Sequence, residues 1–245
     1  MSETDWALMT AEEVGAAARA GRIAVLPVGA TEQHGPHLST GTDAILADRG
    51  AGAACRRTGH IKLPAVQFGC SLGHTEAWPG TLSLTPATLT AIIYDVGRWV
   101  YASGFRRLLI VNAHATNGPP CQSAILQLRY ELADLRLRFV SMFDLTPAIG
   151  ARYREDADDF HANEAETSLM LSLCPAGVRM DRAVDEVDRT EGREWQYAMP
   201  DVSVSGSVGR TTTASARRGA ELYERVTAAL VELLERASSE PSNVM

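Results

Sequence analysis

Apolar positions fall along this chain in two rhythms. Short apolar runs at 23–28, 61–66, 108–111 and 135–142 have strand length and end against glycine or polar residues. Between them lie longer stretches with helical spacing, at 43–57, 86–103, 120–132, 164–173 and 214–237. A further helix is marked near the start, where Thr10 and Glu13 make a capping-box pattern ahead of an Ala-rich segment that ends at Ala20 and Gly21. Pro86 suits the first position of its helix. Strand and helix alternating at this interval predict an α/β fold with a mostly parallel central sheet. No internal stretch has linker composition, so residues 1–237 are expected to form a single domain, followed by a disordered tail at 238–245.

Charge narrows the partners. The 245 residues carry a net charge of −7 with Lys and Arg scattered, which argues against binding a phosphate backbone. No basic segment leads into an apolar one at the N-terminus, and no apolar run approaches the ~18 residues a membrane helix needs. A soluble, cytoplasmic protein without membrane partners is expected. Cys55, Cys70, Cys121 and Cys174 lie far apart, so they suggest neither a zinc ribbon nor a disulfide framework and are expected to act as small buried apolar residues. No Gly-x-Ser-x-Gly elbow supports a serine hydrolase.

Open α/β sheets place their sites at the carboxyl ends of strands. The run at 23–28 leads into Gly29-Ala30-Thr31-Glu32-Gln33-His34-Gly35-Pro36-His37, and the run at 108–111 leads into Asn112-Ala113-His114-Ala115-Thr116-Asn117-Gly118. Glu32 and His34 stand two residues apart and, in extended chain, project to the same side. Asp43 opens the next helix, where alone it reads as a carboxylate serving the helix terminus. His114 alone reads as a loop-capping imidazole, and Glu164 and Glu166 alone as acids complementing the dipole of the helix that follows His161. His60, after Gly59 at the start of a strand, reads as structural. Gathered round one pocket, Glu32, His34, Asp43 and His114 would leave buried negative charge that only a cation offsets. Mixed nitrogen and oxygen ligands suit zinc, manganese or iron, and Asp43 is the expected bridge in a two-metal site.

These residues resemble the creatininase (creatinine amidohydrolase) family. The resemblance rests on the Gly29 to His37 stretch with Asp43, on Trp78-Pro79-Gly80-Thr81-Leu82-Ser83-Leu84, and on Glu166-Thr167-Ser168 with His161 five residues before Glu166. It runs from about residue 8 to 235. It implies a three-layer αβα sandwich, assembly as a homohexamer, and two divalent metal ions per subunit acting on a small-molecule amide. By the resemblance Glu32 and His34 bind separate metals, Asp43 bridges, His114 joins Glu32, Glu166 completes the site of His34, and His161 is the acid/base. His37, His74, Trp78, Asn112 and Thr116 are expected around the substrate.

Four positions depart from the family pattern. Ala113 and Ala115 stand in a loop that usually reads Asn-Gly-His-Gly-Gly-Asn, Thr116 stands where creatininase carries a glutamate ligand, and His74 is displaced by one position before the Pro-Gly-Thr segment. Metal ligands alone do not choose among cyclic amides, formamides and the precursor peptide trimmed in the mycofactocin pathway, since selection lies in loops such as 70–77 and 144–159. An amidohydrolase on non-peptide C–N bonds is the first expectation. A mycofactocin-type peptidase, or a metal-binding scaffold without turnover, is the alternative. Segment 186–210 is expected to be a surface connection over a neighbouring subunit's site, and Trp99 to lie in the core; Trp6 and Trp195 are assigned to core or subunit contact without preference.

Overall fold

A computed structural model describes residues 3–241. The chain runs α1 (Ala11–Arg19), β1 (Ala24–Val28), α2 (Thr42–Thr58), β2 (Ile61–Lys62), α3 (Pro86–Ala102), β3 (Arg107–Asn112), α4 (Gly118–Glu131), β4 (Arg136–Ser141), α5 (Pro147–Tyr153), α6 (Glu164–Leu173), α7 (Met199–Val202) and α8 (Ala216–Ser239), with short 3₁₀ turns between. The four strands form one parallel sheet in the order β2-β1-β3-β4. The capping box closes as its residues predict: Glu13 N–H donates to Thr10 Oγ1, and Thr10 N–H to the Glu13 carboxylate.

Side chains of the central strands divide between two cores. Ala24, Leu26, Val28, Leu108 and Ile110 pack with Val14 of α1, Leu89 and Ile93 of α3 and Ala124 of α4. Val25, Leu109 and Val111 face the other way, onto Leu46 of α2, Leu169 of α6 and Val226 of α8. Because successive strand residues point to opposite faces, a sheet buried on both sides must be apolar throughout, and β1 is buried at all five positions. The fold is therefore a three-layer α/β/α sandwich.

Two glycines allow close approaches that shape the site. A Cβ on Gly219 would lie 1.8 Å from the Ser168 carbonyl oxygen, so α8 can press against α6 only with glycine there. A Cβ on Gly29 would lie 2.4 Å from the Ala44 backbone, so the end of β1 meets the first turn of α2 directly.

Several expectations are corrected. The run at 61–66 is a two-residue strand, since Pro64 has no N–H for the ladder; Val66 rejoins only as an isolated bridge to Val28. Helices α5 and α7 occupy stretches expected to be loop. The last helix continues to Ser239, two residues into the expected tail, and 242–245 lie outside the described residues. Trp99 is 71% exposed, because α3 turns Leu89, Ile93, Gly97 and Val100 inward and Trp99 falls off that stripe. Trp6 packs on Phe105 with ring centroids 5.5 Å apart, and Trp195 is exposed. Cys55, Cys70 and Cys121 are buried and Cys174 partly so, all as free thiols. No helix among the described residues is long and apolar enough to cross a membrane.

Candidate metal centre

The carboxyl ends of β1 and β3 carry the loops that build the centre. Glu32 N–H donates to the Thr40 carbonyl, which turns the loop after β1 back toward α2. Asp43 sits in the first turn of α2, whose N-cap is Gly41 with no side-chain cap, and its side chain faces the centre. Beyond β3, Asn112 Oδ1 accepts from His114 N–H, and its amide donates to the His114 carbonyl at 2.7 Å, fixing that turn. Glu166 N–H donates to Asn163 Oδ1 at the N-cap of α6, and one Glu166 oxygen accepts from Ala162 N–H. The Glu166 side chain is thus anchored by the N–H that precedes the N-cap, with its other oxygen left toward the centre.

Five expected ligands converge, all buried. His34 Nε2 lies 3.2 Å from Asp43 Oδ1, while His114 Nδ1 lies 3.2 Å from Glu32 Oε1 and 3.3 Å from Asp43 Oδ2. Glu32, Asp43 and His114 offer one set of ligand atoms and His34, Asp43 and Glu166 another, sharing Asp43; Glu32, His34 and His161 make a third grouping. Both oxygens of Glu32 and Oδ2 of Asp43 are buried with no hydrogen-bond donor. Buried oxygens usually have one, and leaving them without is costly. The nearby His114 nitrogen has the right distance but not the direction for a hydrogen bond. Two ligands about 2.1 Å from a tetrahedral ion sit about 3.4 Å apart, close to the spacings seen. The donor set therefore fits divalent metal.

Outer contacts fix which ring nitrogen faces inward. His34 Nδ1 lies 3.2 Å from the Glu32 carbonyl, leaving Nε2 toward Asp43. His114 Nε2 lies 3.0 Å from the Cys70 carbonyl and 2.6 Å from Thr116 Oγ1, leaving Nδ1 inward. Such outer partners orient metal-binding imidazoles. Electrostatics within the cluster is strong. Burial opposes charge on His34, but Asp43, Glu166 and Glu32 outweigh it and push its pKa up to about 10. Burial likewise opposes charge on His114 and Glu32, yet their mutual attraction raises the histidine and lowers the glutamate. Burial raises Glu166 to about 7 despite His34.

A second ring of residues surrounds these. His161 Nε2 lies 2.9 Å from the Gln33 carbonyl, so Nδ1 is the nitrogen turned toward Glu32, 3.7 Å away. Burial, then His34 and His74, lower its pKa well below the ordinary histidine value. Gln33 was overlooked by sequence reasoning although it stands inside the motif. Its Oε1 accepts from Gly35 N–H, which points its amide nitrogen at His74 Nδ1, 3.1 Å away. Asn117 was overlooked too; its amide joins the Gly29 carbonyl and Asn112, and its oxygen accepts from Cys70 N–H, tying three loops together.

The expected substrate residues separate into two groups. His74 is half-buried beside His161, with ring centroids 4.4 Å apart, and Trp78 packs on the Met199 and Val202 cluster. His37 is buried, with Nε2 on Thr167 Oγ1, and burial lowers its pKa to about 4. Asn112 bonds the backbone of His114 on both sides, and its amide also donates to Ser141 Oγ at the end of β4. Thr116 donates to the Cys70 carbonyl behind His114. Segment 186–210 folds against its own chain: Val208 pairs with His161 through backbone hydrogen bonds, and a Cβ on Gly206 would lie 2.3 Å from Gln33 Oε1. His60 is structural, accepting from Ile23 N–H.

A family model described as Creatininase: Creatinine amidohydrolase matches residues 7–234. The chain belongs to the creatininase family. Creatinine amidohydrolase of Pseudomonas putida is 33% identical over 183 residues, spanning 69% of this chain and 70% of that protein. The mycofactocin precursor peptide peptidase of Mycolicibacterium smegmatis is 30% identical over 224 residues, spanning 87% of this chain and 85% of its own. Among solved structures, a zinc–zinc form of a creatininase variant superposes with a TM-score of 0.86 at 28% identity, covering 98% of this chain and 100% of that one. Membership makes this chain a creatininase-family hydrolase, and the family's three-layer fold is the one described above.

Proposed function

We propose that residues 1–237 act as one hydrolase domain that cleaves a C–N amide bond in a small cyclic amide or formamide, using two divalent metal ions. Glu32, His114 and Asp43 would hold one ion, and His34, Glu166 and Asp43 the other. The observation that carries this reading is the set of buried oxygens on Glu32 and Asp43 that no protein donor reaches. Bound there, divalent ions supply Lewis acidity and bring the pKa of water toward neutrality.

The protein's own groups then position and move protons. His161 keeps Nε2–H on the Gln33 carbonyl and offers Nδ1 to the pocket. Its lowered pKa leaves it neutral near pH 7, so it takes a proton first and returns it to the departing nitrogen. Gln33 holds His74 beside it. His37 supports Thr167 at the start of α6 and so the placement of Glu166; the geometry favours that supporting role over substrate contact. Asn112 and Thr116 are assigned the same way, to the loop and ring of His114.

A second reading, a peptidase acting on a small precursor peptide, is favoured by one observation. Phe68, Leu72 and Leu82 are exposed on loops that bond the site, where Leu82 N–H donates to the Thr31 carbonyl. A peptide side chain would cover such a rim. Elemental analysis of protein purified without chelator, followed by assays on cyclic amides, formamides and short peptides, tests both. Two zinc, manganese or iron ions per chain with turnover of a small amide are expected. Turnover of peptides alone favours the second reading, and metal without any turnover favours a scaffold.

A further inference from the structure

A cavity of about 250 Å³, separate from the metal centre, runs along the first three turns of α8 and is lined by Arg152, Arg217, Arg218, Glu221, Leu222 and Arg225. Four guanidiniums and one carboxylate face it. Two of the arginines are fixed from behind: Arg152 and Arg218 both pair with the buried Glu164 of α6, and Arg218 also with Glu155. Arg217 reaches only Glu221, at 3.1 Å on an exposed face, and Arg225 has no ion pair or hydrogen bond among the described residues.

One further observation favours an anion. Arg152 is already paired with Glu155 and Glu164, so the cations left for a ligand lie on α8. The first turn of α8 contains Arg217 and Arg218 and no acid. Helix N-termini favour negative charge, so two arginines there oppose the dipole unless an anion offsets them. Planar guanidinium forks match the paired oxygens of phosphate and carboxylate groups. The volume falls just below the ~300–1,000 Å³ of pockets for drug-sized ligands, which suits a small anion.

We propose that this cavity binds a small oxyanion, presenting a phosphate or carboxylate group to Arg218 and the exposed forks of Arg217 and Arg225, with Arg152 behind them. Through Glu164 the site is one ion pair from α6, the helix that carries Glu166.

Titration calorimetry on the intact protein, with inorganic phosphate and with succinate at fixed ionic strength in chloride, tests it. At least one of the two should bind once per chain, the tighter naming the class of group. The double variant Arg217→Gln/Arg225→Gln, on exposed positions that leave the fold intact, should weaken that binding at least tenfold. Binding of neither anion overturns the proposal. So does binding that survives in the double variant, because an anion drawn to the metal centre would behave in that way.

Discussion

Glu32 and Glu186 are both glutamates drawn inward from loops, and they are treated in opposite ways. Glu186, with a side chain 9% exposed, accepts from Val204 N–H, from the Ser205 N–H and hydroxyl, from Ser203 Oγ and from Arg189. Glu32 is wholly buried and accepts from nothing. A carboxylate ringed by donors is a structural anchor that stabilises its own ionised form. One without donors, beside Asp43, Glu166 and two inward-facing imidazole nitrogens, suits a cation. The two acids look alike in sequence; the donors supplied by their neighbours separate a fastener from a candidate ligand.

The strongest way to break this contrast is Asp43→Asn. If Asp43 is shared by both ions, the variant loses both, and amide hydrolysis falls to background; elemental analysis that still finds two ions per chain would reject the shared ligand. His161→Ala should instead keep both ions and lose about 10³-fold in kcat, within the range for a general acid or base. A parallel loss of metal would move His161 into the ligand set with Glu32 and His34. Thr116→Val tests a contact behind the centre. Removing the hydroxyl that meets His114 Nε2 and the Cys70 carbonyl should weaken metal binding about ten- to a hundredfold, measured by competition with a chelator.

The sequence made the alternation of strand and helix legible because β1 and β3 are buried on both faces and so read as unbroken apolar runs. The candidate ligands are legible for a related reason, since Glu32, His34, Asp43, His114 and Glu166 interrupt small and apolar residues at strand ends and at helix starts. Partnership was less visible. Asn112 and Thr116 sit in the same loop as His114, yet their polar atoms turn to that loop, to Ser141 and to Cys70, directions that spacing does not encode. Trp99 was misplaced because α3 also carries Ile92 and Val96 beside its buried stripe, and a helix apolar on several sides does not announce which stripe it buries. For segment 186–210, expected as a surface connection over a neighbouring subunit's site, the pairing of Val208 with His161 in its own chain was not legible, because backbone donors have no sequence signature. Short helix α5 did carry a signal, Thr146 capping Ile149 N–H with Pro147 next in line, but seven residues are too few for periodicity to show.

Glu186→Gln has the smallest effect of the four and sharpens the contrast from the other side. Hydrogen bonds to a charged group contribute about 1.5–3 kcal/mol in net terms, and replacing the carboxylate by an amide that also brings a donor toward Ser205 should cost about 2 kcal/mol. For a chain of this size that corresponds to about 4–8 °C in Tm. Its pH dependence identifies the cause. Burial opposes the charge on Glu186, but the Ser205 hydroxyl, the Val204 and Ser205 amides and Arg189 outweigh it and hold its pKa at about 2, against 4.5 for a free side chain. The folded form therefore binds the proton less readily than the unfolded one, so the stabilisation is complete above pH 4.5 and disappears as pH falls toward 2. Melting temperatures of wild type and variant should differ at pH 6 and converge near pH 2. Metal content should be unchanged in the variant, because the donors around Glu186 do the work that a cation would do for Glu32. Metal loss in Glu186→Gln would show that the segment's hold on His161 and Gln33 belongs to the metal centre itself, and a Tm gap that persists at pH 2 would show that the loss of stability does not come from the ionised carboxylate.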